Sequence, residues 1–463
     1  MNELVEPLTF ASITINFGLR AAPYIEHQMS TLASGNSPAT RWAKKVAILN
    51  LVVDTMHQGV LEKVLACQNR YLIPAIQALQ NVQFAWVSCG ATPRRPDVDS
   101  EILQALSQIP TLRNLSLSFP EYYSGQGTLP LDTFNLRVLK LNLPSGSIRT
   151  PMIQSIGPMV ARSPALEELT LVETHTNQHG ETNLDIFFED PMHPPSFVAS
   201  LTKLTLVNRS FTMSALSVPR LRSLVHLDMG TGNVDASFWR ALAGIGVKIR
   251  YFAVYPLDAA VILYLASYEG LKELHIRGHH RPEAKDCPEE VFHTVLPRHR
   301  QSLQQLTFSS LDYRSWSITD NYLECVLGCS ALRSLALLYH YPEDNREWPS
   351  LQVVPQERLS MDLSALFTRI TERLGRLETL KLSPRRQPPQ RNYGPHQARS
   401  YLDIMDRTFT KEICEAAVTC AHIPAFQLYF VTHGFGSPLS SPMVFDLDSR
   451  RFKPVDAKEE GEP

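Results

Sequence analysis

Apolar residues recur along this chain in one short pattern. An apolar residue is followed by two variable residues, a leucine, one variable residue and another apolar residue. Because side chains alternate between the two faces of a strand, the last two apolar positions of each copy point the same way. The pattern therefore predicts a half-buried strand at every copy. The clearest copies begin at Leu112, Leu136, Leu166, Leu201, Leu271, Leu303, Leu332 and Leu377, and weaker copies begin at Val46, Leu79, Leu224 and Ile249.

Segments with helical spacing precede many of these strands. Ile102, Leu103 and Leu106 precede the copy at Leu112, and their spacing places them on one face of a helix. A similar segment precedes the copy at Leu377. Each copy is therefore predicted to be one strand and one helix, and neither element can bury its apolar face without a neighbouring copy.

The spacing between copies favours a leucine-rich-repeat solenoid. Successive copies start between 22 residues apart, from Ile249 to Leu271, and 45 apart, from Leu332 to Leu377. Most intervals lie in or just above the range of about 20 to 29 residues for such repeats. We expect an α/β horseshoe with a parallel sheet on the concave face and helices on the convex face. A doubly wound α/β domain is the alternative, but no glycine-rich phosphate loop follows any predicted strand.

The repeats divide the chain into four predicted segments. Residues 1–45 form an N-terminal cap, with a short strand followed by a helix, and residues 46–383 form the repeat array. Residues 384–455 contain an insertion and a C-terminal cap, whose strands include Phe426, Leu428 and Val444. Residues 456–463 are predicted to be a disordered tail. Long insertions are expected at 173–195, 339–356 and 384–395.

Composition argues against several classes of partner. The chain has 463 residues and a net charge of -2, with 44 basic and 46 acidic side chains, so its charge balance favours neither nucleic acid nor an anionic membrane. The first residues lack the features of a signal peptide, and no apolar run is long enough to span a bilayer. The seven cysteines are sparse, which predicts reduced thiols and a cytoplasmic or nuclear protein.

Motifs for catalysis and cofactor binding do not occur in the sequence. We find no nucleophile elbow, zinc-protease helix motif or Walker loop, and we expect neither enzymatic activity nor a cofactor. The nearest approach to a metal cluster has no standard zinc spacing, and its helical histidines are expected to be exposed. That cluster comprises His279, His280, Cys287, His293 and His299. Cys325 and Cys329 are expected to be small core residues.

The N-terminal region resembles fungal F-box leucine-rich-repeat proteins. Asn2-Glu-Leu-Val-Glu-Pro-Leu-Thr-Phe10 and Ile13-Thr-Ile15 resemble the segment after the F-box, and the residues from Trp42 to Leu51 resemble the first repeat. The resemblance implies a substrate receptor of a cullin–RING ubiquitin ligase. The helical F-box has no counterpart before Glu6, so we expect the chain alone not to bind the ligase adaptor. A stand-alone interaction protein unrelated to ubiquitination is the alternative.

The period of two also predicts which residues a partner would contact on the concave face. The flanking residues are rich in charged and aromatic side chains on three successive copies in the middle of the array, and tyrosine and arginine often anchor interfaces. An acid–base pair such as Asp228 with His275 would instead indicate an enzyme, although open faces lack the enclosed pocket that catalysis needs. The candidate binding residues are His226, Asp228, Tyr251, Tyr255, Glu273, His275 and Arg277.

Overall fold

A computed structural model describes most of the repeat region and parts of both ends. The chain divides into two compact units, Met1–Val247 (unit 1) and Lys248–Pro463 (unit 2), which we describe separately. The described residues are 9–17, 24–49, 58–90, 97–120, 134–143, 156–157, 160, 163, 165–173, 182–187, 201–207, 211–230, 234–254, 257–277, 287–309, 316, 318–339, 362–384, 415–416, 426–430, 443–446 and 451–454.

The described part of unit 1 contains a parallel sheet whose strands are ordered in space as they are in sequence. Its strands are β1 (Ser12–Asn16), β2 (Lys45–Leu49), β3 (Phe84–Ser88), β4 (Asn114–Ser118), β5 (Val138–Leu143), β6 (Glu168–Glu173), β8 (Lys203–Val207) and β10 (His226–Met229). Two further strands, β7 (Thr182–Asn183) and β9 (Phe211–Thr212), form a separate parallel pair. The sequence did not predict this pair, because two-residue strands have no detectable periodicity.

Unit 2 continues the same arrangement with its own strands. Those described are β11 (Tyr251–Val254), β12 (Glu273–Arg277), β13 (Gln305–Ser309), β14 (Ser334–Tyr339), β15 (Thr379–Pro384), β16 (Gln427–Phe430), β17 (Met443–Asp446) and β18 (Arg451–Pro454). The pairing is parallel from β11 to β16 and antiparallel from β16 to β18. The strands expected from the sequence around Leu428 and Val444 are therefore present, and β17 and β18 form an antiparallel pair.

Helices connect many of the strands. Those of unit 1 are α1 (Ile25–Ala33), α2 (Pro38–Trp42), α3 (Gln58–Cys67), α4 (Ile73–Ala78), α5 (Val98–Ser107) and α6 (Ala236–Gly244), and those of unit 2 are α7 (Ala259–Ala266), α8 (Pro288–Glu290), α9 (Leu296–His299), α10 (Asp320–Leu327) and α11 (Leu363–Arg373). One π-helical turn, Gln68–Leu72, joins α3 to α4, and another, Val291–Val295, joins α8 to α9. The described residues also include the 3-10 segments Leu184–Phe187 and Ala215–Leu221. Within the described ranges, no helix has the length and apolar character needed to cross a membrane.

The apolar positions of the repeated pattern form the core between the sheet and the helices. In α5, Ile102, Leu103 and Leu106 are fully buried, as the helical spacing predicts. The strand positions stack in register, so that Leu306 of β13 lies beside Leu335 of β14. Both leucines have no exposed surface. The repeated leucine is therefore the residue that each unit buries between its sheet and its helices.

The alternation of burial along β2, β3, β8, β10 and β12 distinguishes the two faces of each sheet. The corresponding alternate positions Ser116 of β4, Ala253 of β11 and Ala336 of β14 are buried. In β12 the burial alternates from residue to residue, with Leu274 and Ile276 buried and their neighbours partly exposed. Strands of a parallel sheet covered on both faces are instead apolar at nearly every position. The sheet in each unit thus has one face packed on its helices and one open face. We use "open face" for the face that carries the alternate, partly exposed strand positions.

Two of the weaker copies were placed three residues out of register. The copy assigned to Leu79 in fact begins at Val82, because its buried strand positions are Ala85 and Val87. The copy assigned to Val46 in fact begins at Ala43, because its buried strand positions are Val46 and Ile48. The error arose because alanine occupies the central position in β3, at Ala85, and the first apolar position of the copy at β2, at Ala43. Its correction moves large side chains from the predicted core to the open face.

Candidate functional site

The open face carries the side chains that the sequence singled out for binding. In unit 1, His226 and Asp228 are alternate residues of β10 and are both partly exposed. Leu227 and Met229 of the same strand are buried. In register, His226 lies beside Lys203 and Asp228 lies beside Thr205 on β8. Polar groups therefore continue across this end of the unit 1 sheet.

Unit 2 places most of the remaining predicted residues on its first two strands. Tyr251 of β11 lies beside Glu273 of β12, and Glu273 lies beside Gln305 of β13. His275 and Arg277 follow at alternate positions of β12 and are partly exposed. Tyr255 lies outside the described residues. The structure thus brings Tyr251, Glu273 and His275 to one region of the open face of unit 2.

Glu273 and His275 contact each other in this region. Their Oε2 and Nε2 atoms are 3.5 Å apart, and the side chains are 33% and 26% exposed. The neighbours of His275 across the sheet are Ala253 and Thr307. Because these neighbours are small, the imidazole stands above them and can contact a partner. The pair presents a carboxylate and an imidazole in a partly hydrated setting, which suits hydrogen bonding across an interface.

The candidate acid–base pair is divided between the two units. Asp228 belongs to unit 1 and His275 to unit 2. His275 contacts the carboxylate of Glu273. This contact lies on an open sheet face, where bulk water competes for both groups.

Two aromatic residues on the open face of unit 1 were missed by the sequence interpretation. Phe84 and Trp86 are alternate, partly exposed residues of β3, and the intervening Ala85 is buried. The register error at Leu79 had assigned Phe84 to the core. Val82, Ala85 and Val87 have the spacing of the repeated pattern. A pattern that allows alanine as well as leucine at the central position places Phe84 and Trp86 on the open face.

Of the residues considered for a metal cluster, the structure describes Cys287, His293 and His299. Among the described residues, no group of three or more histidine, cysteine or acidic side chains could hold a metal ion. His279 and His280 lie outside those residues. His293 is exposed, as predicted, and its Nδ1 lies 3.4 Å from the Sγ of Cys325 on the neighbouring helix α10.

The prediction that His299 is exposed was wrong. This histidine is 1% exposed, and its Nε2 lies 3.0 Å from the carbonyl oxygen of Leu265. The backbone N–H of Leu271 donates to Nδ1 over 3.4 Å. Burial lowers the pKa of His299 to about 4, so the ring is neutral and links α7 to the start of β12. The sequence could not reveal this because helical spacing alone does not specify which side of α9 is covered.

The described cysteines are free thiols, as expected. Cys67, Cys89, Cys287, Cys325 and Cys329 form no disulfide. Burial raises the pKa of Cys325, with a smaller contribution from Glu324, and raises that of Cys329 to about 12. Since the thiolate is the reactive form, neither residue is activated as a nucleophile. Cys414 and Cys420 lie outside the described residues.

Comparisons with known proteins do not assign the chain to a family. No protein-family model matches it, and no curated protein matches it significantly. The arrangement of polar and aromatic groups on the two open faces therefore carries the functional argument.

Proposed function

We propose that this protein is a leucine-rich-repeat scaffold that binds another protein through the open faces of its sheets. The observation that carries the proposal is the alternation of burial along the strands. A parallel sheet normally has helices on both faces, but in β3, β10 and β12 the positions that alternate with the buried ones are polar or aromatic and partly exposed. Repeat proteins use such an uncovered sheet face for binding.

The side chains of the open face are suited to this role. Tyr251 and Arg277 are of the residue types that most often dominate binding energy. The Glu273–His275 pair, with an N–O distance of 3.5 Å, adds a donor and an acceptor that a partner can contact directly. Strands hold the backbone of these residues in place, so little backbone conformational entropy is lost when they are covered.

Quantitative affinity capture tests the proposal. Tagged protein, a Glu273→Arg/Arg277→Glu variant and a matched Glu269→Arg/Arg298→Glu variant would each be exposed to lysate of the native cell. Glu269 and Arg298 form a surface ion pair of 3.0 Å away from the strands, so the two swaps alter charge equally. We expect the first variant to lose a partner that the second retains.

The same partner would then be purified and titrated against all three proteins. Equal affinity for the two variants would refute binding through this open face. Circular dichroism before capture verifies that both variants fold, so a loss of binding cannot be attributed to unfolding.

We further propose that the bound protein is a substrate for ubiquitination, in the manner of fungal F-box leucine-rich-repeat receptors. The order of elements at the N-terminus supports this: the strand Ser12–Asn16, the helix Ile25–Ala33 and then the strand Lys45–Leu49. The resemblance implies the same order of elements after the F-box. In this proposal, the chain supplies the substrate-binding repeats of such a receptor and acts in the cytoplasm or nucleus.

Reconstitution with the purified ligase adaptor tests this second proposal. The chain alone and the chain with an F-box fused in front would be titrated separately. We expect adaptor binding, and ubiquitination of the captured partner, with the fused protein only. Tight adaptor binding by the unfused chain would overturn the expectation. An unmodified partner in the fused ligase complex would refute the ubiquitination role.

A further inference from the structure

An aromatic pair lies at the centre of a basic region on the open face of unit 1. Trp86 of β3 has Ala47 on one neighbouring strand and Ser116 on the other. Neither neighbour is large enough to cover the indole ring, which is partly exposed. Phe84, two residues earlier, adds a second partly exposed ring on the same strand.

Lysines lie on both sides of this pair. Lys45 of β2 is directly beside Phe84 in register and is exposed. Lys140 of β5 is exposed and lies two strands from Trp86, with Ser116 between them. The strands β1 to β5 contain no acidic residue, so their open face has a single sign of charge. We call Lys45, Phe84, Trp86 and Lys140 the basic–aromatic patch.

We propose that the basic–aromatic patch binds an extended acidic segment of a partner protein that carries a large aromatic residue between its acidic residues. The aromatic side chain would stack on Trp86, because aromatic pairs favour offset or edge-to-face contact. Carboxylates on either side would pair with Lys45 and Lys140. This inference rests on the proposed protein-binding function and names the chemical class of the partner for unit 1.

The spacing of the lysines defines the segment further. Neighbouring strands are about 4.8 Å apart, and Lys140 lies two residues, about 6.6 Å, further along its strand than the register partner of Lys45. Three strand spacings and this offset place the backbones of Lys45 and Lys140 roughly 16 Å apart. An extended peptide advances about 3.4 Å per residue. A segment that crosses the strands therefore needs acidic residues about five positions apart, with the aromatic residue between them.

A single-stranded nucleic acid is the competing ligand, and the patch favours protein. Nucleic-acid grooves combine successive stacking platforms with a continuous basic path. Here both rings lie on one strand, and only two lysines occur among the strand residues of β1 to β5. The sparse, opposed charges match individual carboxylates better than a continuous phosphate backbone.

Selection from a synthetic peptide array tests the inference. The array holds extended peptides with acidic residues at varied separations around a central Trp, Phe, Leu or Gly, together with lysine-substituted counterparts. We expect the full chain to select acidic peptides with a central aromatic residue and acidic residues about five positions apart. The selected peptide would then be titrated by fluorescence anisotropy at low and high salt.

Variants connect the selected peptide to the patch. Lys45→Glu/Lys140→Glu should weaken binding at least about tenfold and reverse the preference toward lysine-substituted peptides, and Trp86→Ala should weaken it by a similar factor. Lys63→Glu, on the exposed surface of α3, and Tyr24→Ala, whose ring is 69% exposed, are the matched controls. The lysine pair is exposed, so its variant tests the inference even where Trp86→Ala fails to fold.

Several results would overturn the inference. These are selection without acidic or aromatic preference, no selected peptide at all, unchanged binding by the lysine variant, or tighter binding of a labelled single-stranded oligonucleotide through the same residues. Failure here is distinguishable from failure of the proposed function. A captured partner that depends on Glu273 and Arg277 would leave that function intact, whereas one indifferent to both open faces would refute both.

Discussion

Acidification should destabilise unit 2 through His299. The ring is buried and neutral, with a folded-state pKa of about 4 against about 6.5 in an unfolded chain. The unfolded state therefore binds a proton at a higher pH than the folded state does. Consequently, the free energy of unfolding falls as pH drops below about 6.5, and the loss is complete only below about 4. At pH 5 the free energy of unfolding should be about 2 kcal/mol lower than at neutral pH.

The groups around His299 determine its response. Loss of hydration is the main cause of the lowered pKa, and Arg298 lowers it further, whereas the carbonyl of Leu265 and the carboxylate of Glu269 oppose the shift. Tyr268 packs beside the imidazole, with ring centroids 5.2 Å apart. Protonation would place a charge on Nδ1, where the N–H of Leu271 now donates.

Urea unfolding of the wild type and of His299→Gln between pH 7.5 and pH 5 measures the effect. At pH 7.5 the variant should be less stable by about 1 to 3 kcal/mol, because the glutamine cannot satisfy both buried backbone groups. Between pH 7.5 and pH 5, the free energy of unfolding of the wild type should then fall by about 2 kcal/mol relative to that of the variant. Only the wild type loses the contribution of His299. His293→Gln, at an exposed position, is the control. Parallel stability curves for wild type and His299→Gln would refute the reasoning.

Three further predictions concern the core, a helix start and the thiols. Leu306→Ala should lower the free energy of unfolding by about 2 to 5 kcal/mol because the leucine is fully buried. Thr307→Ala, on the open face, is the control, and a loss below about 1 kcal/mol for Leu306→Ala would contradict the strand register. Asp258→Ala should lower the free energy of unfolding by about 1 kcal/mol. The Asp258 carboxylate caps α7 by accepting a hydrogen bond from the N–H of Val261 over 2.8 Å. Unchanged stability would show that the cap contributes nothing. Thiol titration of the denatured, unreduced protein should find all seven cysteines, and a lower count would indicate disulfides.

The strand pattern could be predicted where leucine occupies its central position. Leu306 and Leu335 were assigned correctly because periodicity and residue type agree there, and both are buried in register. At β3 the central residue is Ala85, and a pattern that requires leucine selects the wrong register. A displacement of three residues exchanges the two faces of a strand, which explains why Phe84 was assigned to the core.

The candidate site was predictable only in part, for a related reason. The residues of β12 follow directly from the period of two, which places Glu273 and His275 on the same side. Their 3.5 Å contact depends on side-chain rotamers that no sequence pattern contains. The burial of His299 depends on the packing of α9 against the preceding helix and loop, so it required tertiary structure.

The agreement between chain order and strand order has a consequence for biosynthesis. Within each unit, every parallel strand of the main sheet pairs with the one that precedes it in that sheet, so a nascent chain emerging N-terminus first always offers a formed edge to the next strand. Folding can therefore follow translation rather than wait for release from the ribosome. The intermediate edge exposes unpaired N–H and C=O groups, which makes a paused or truncated chain a substrate for chaperones or a nucleus for aggregation.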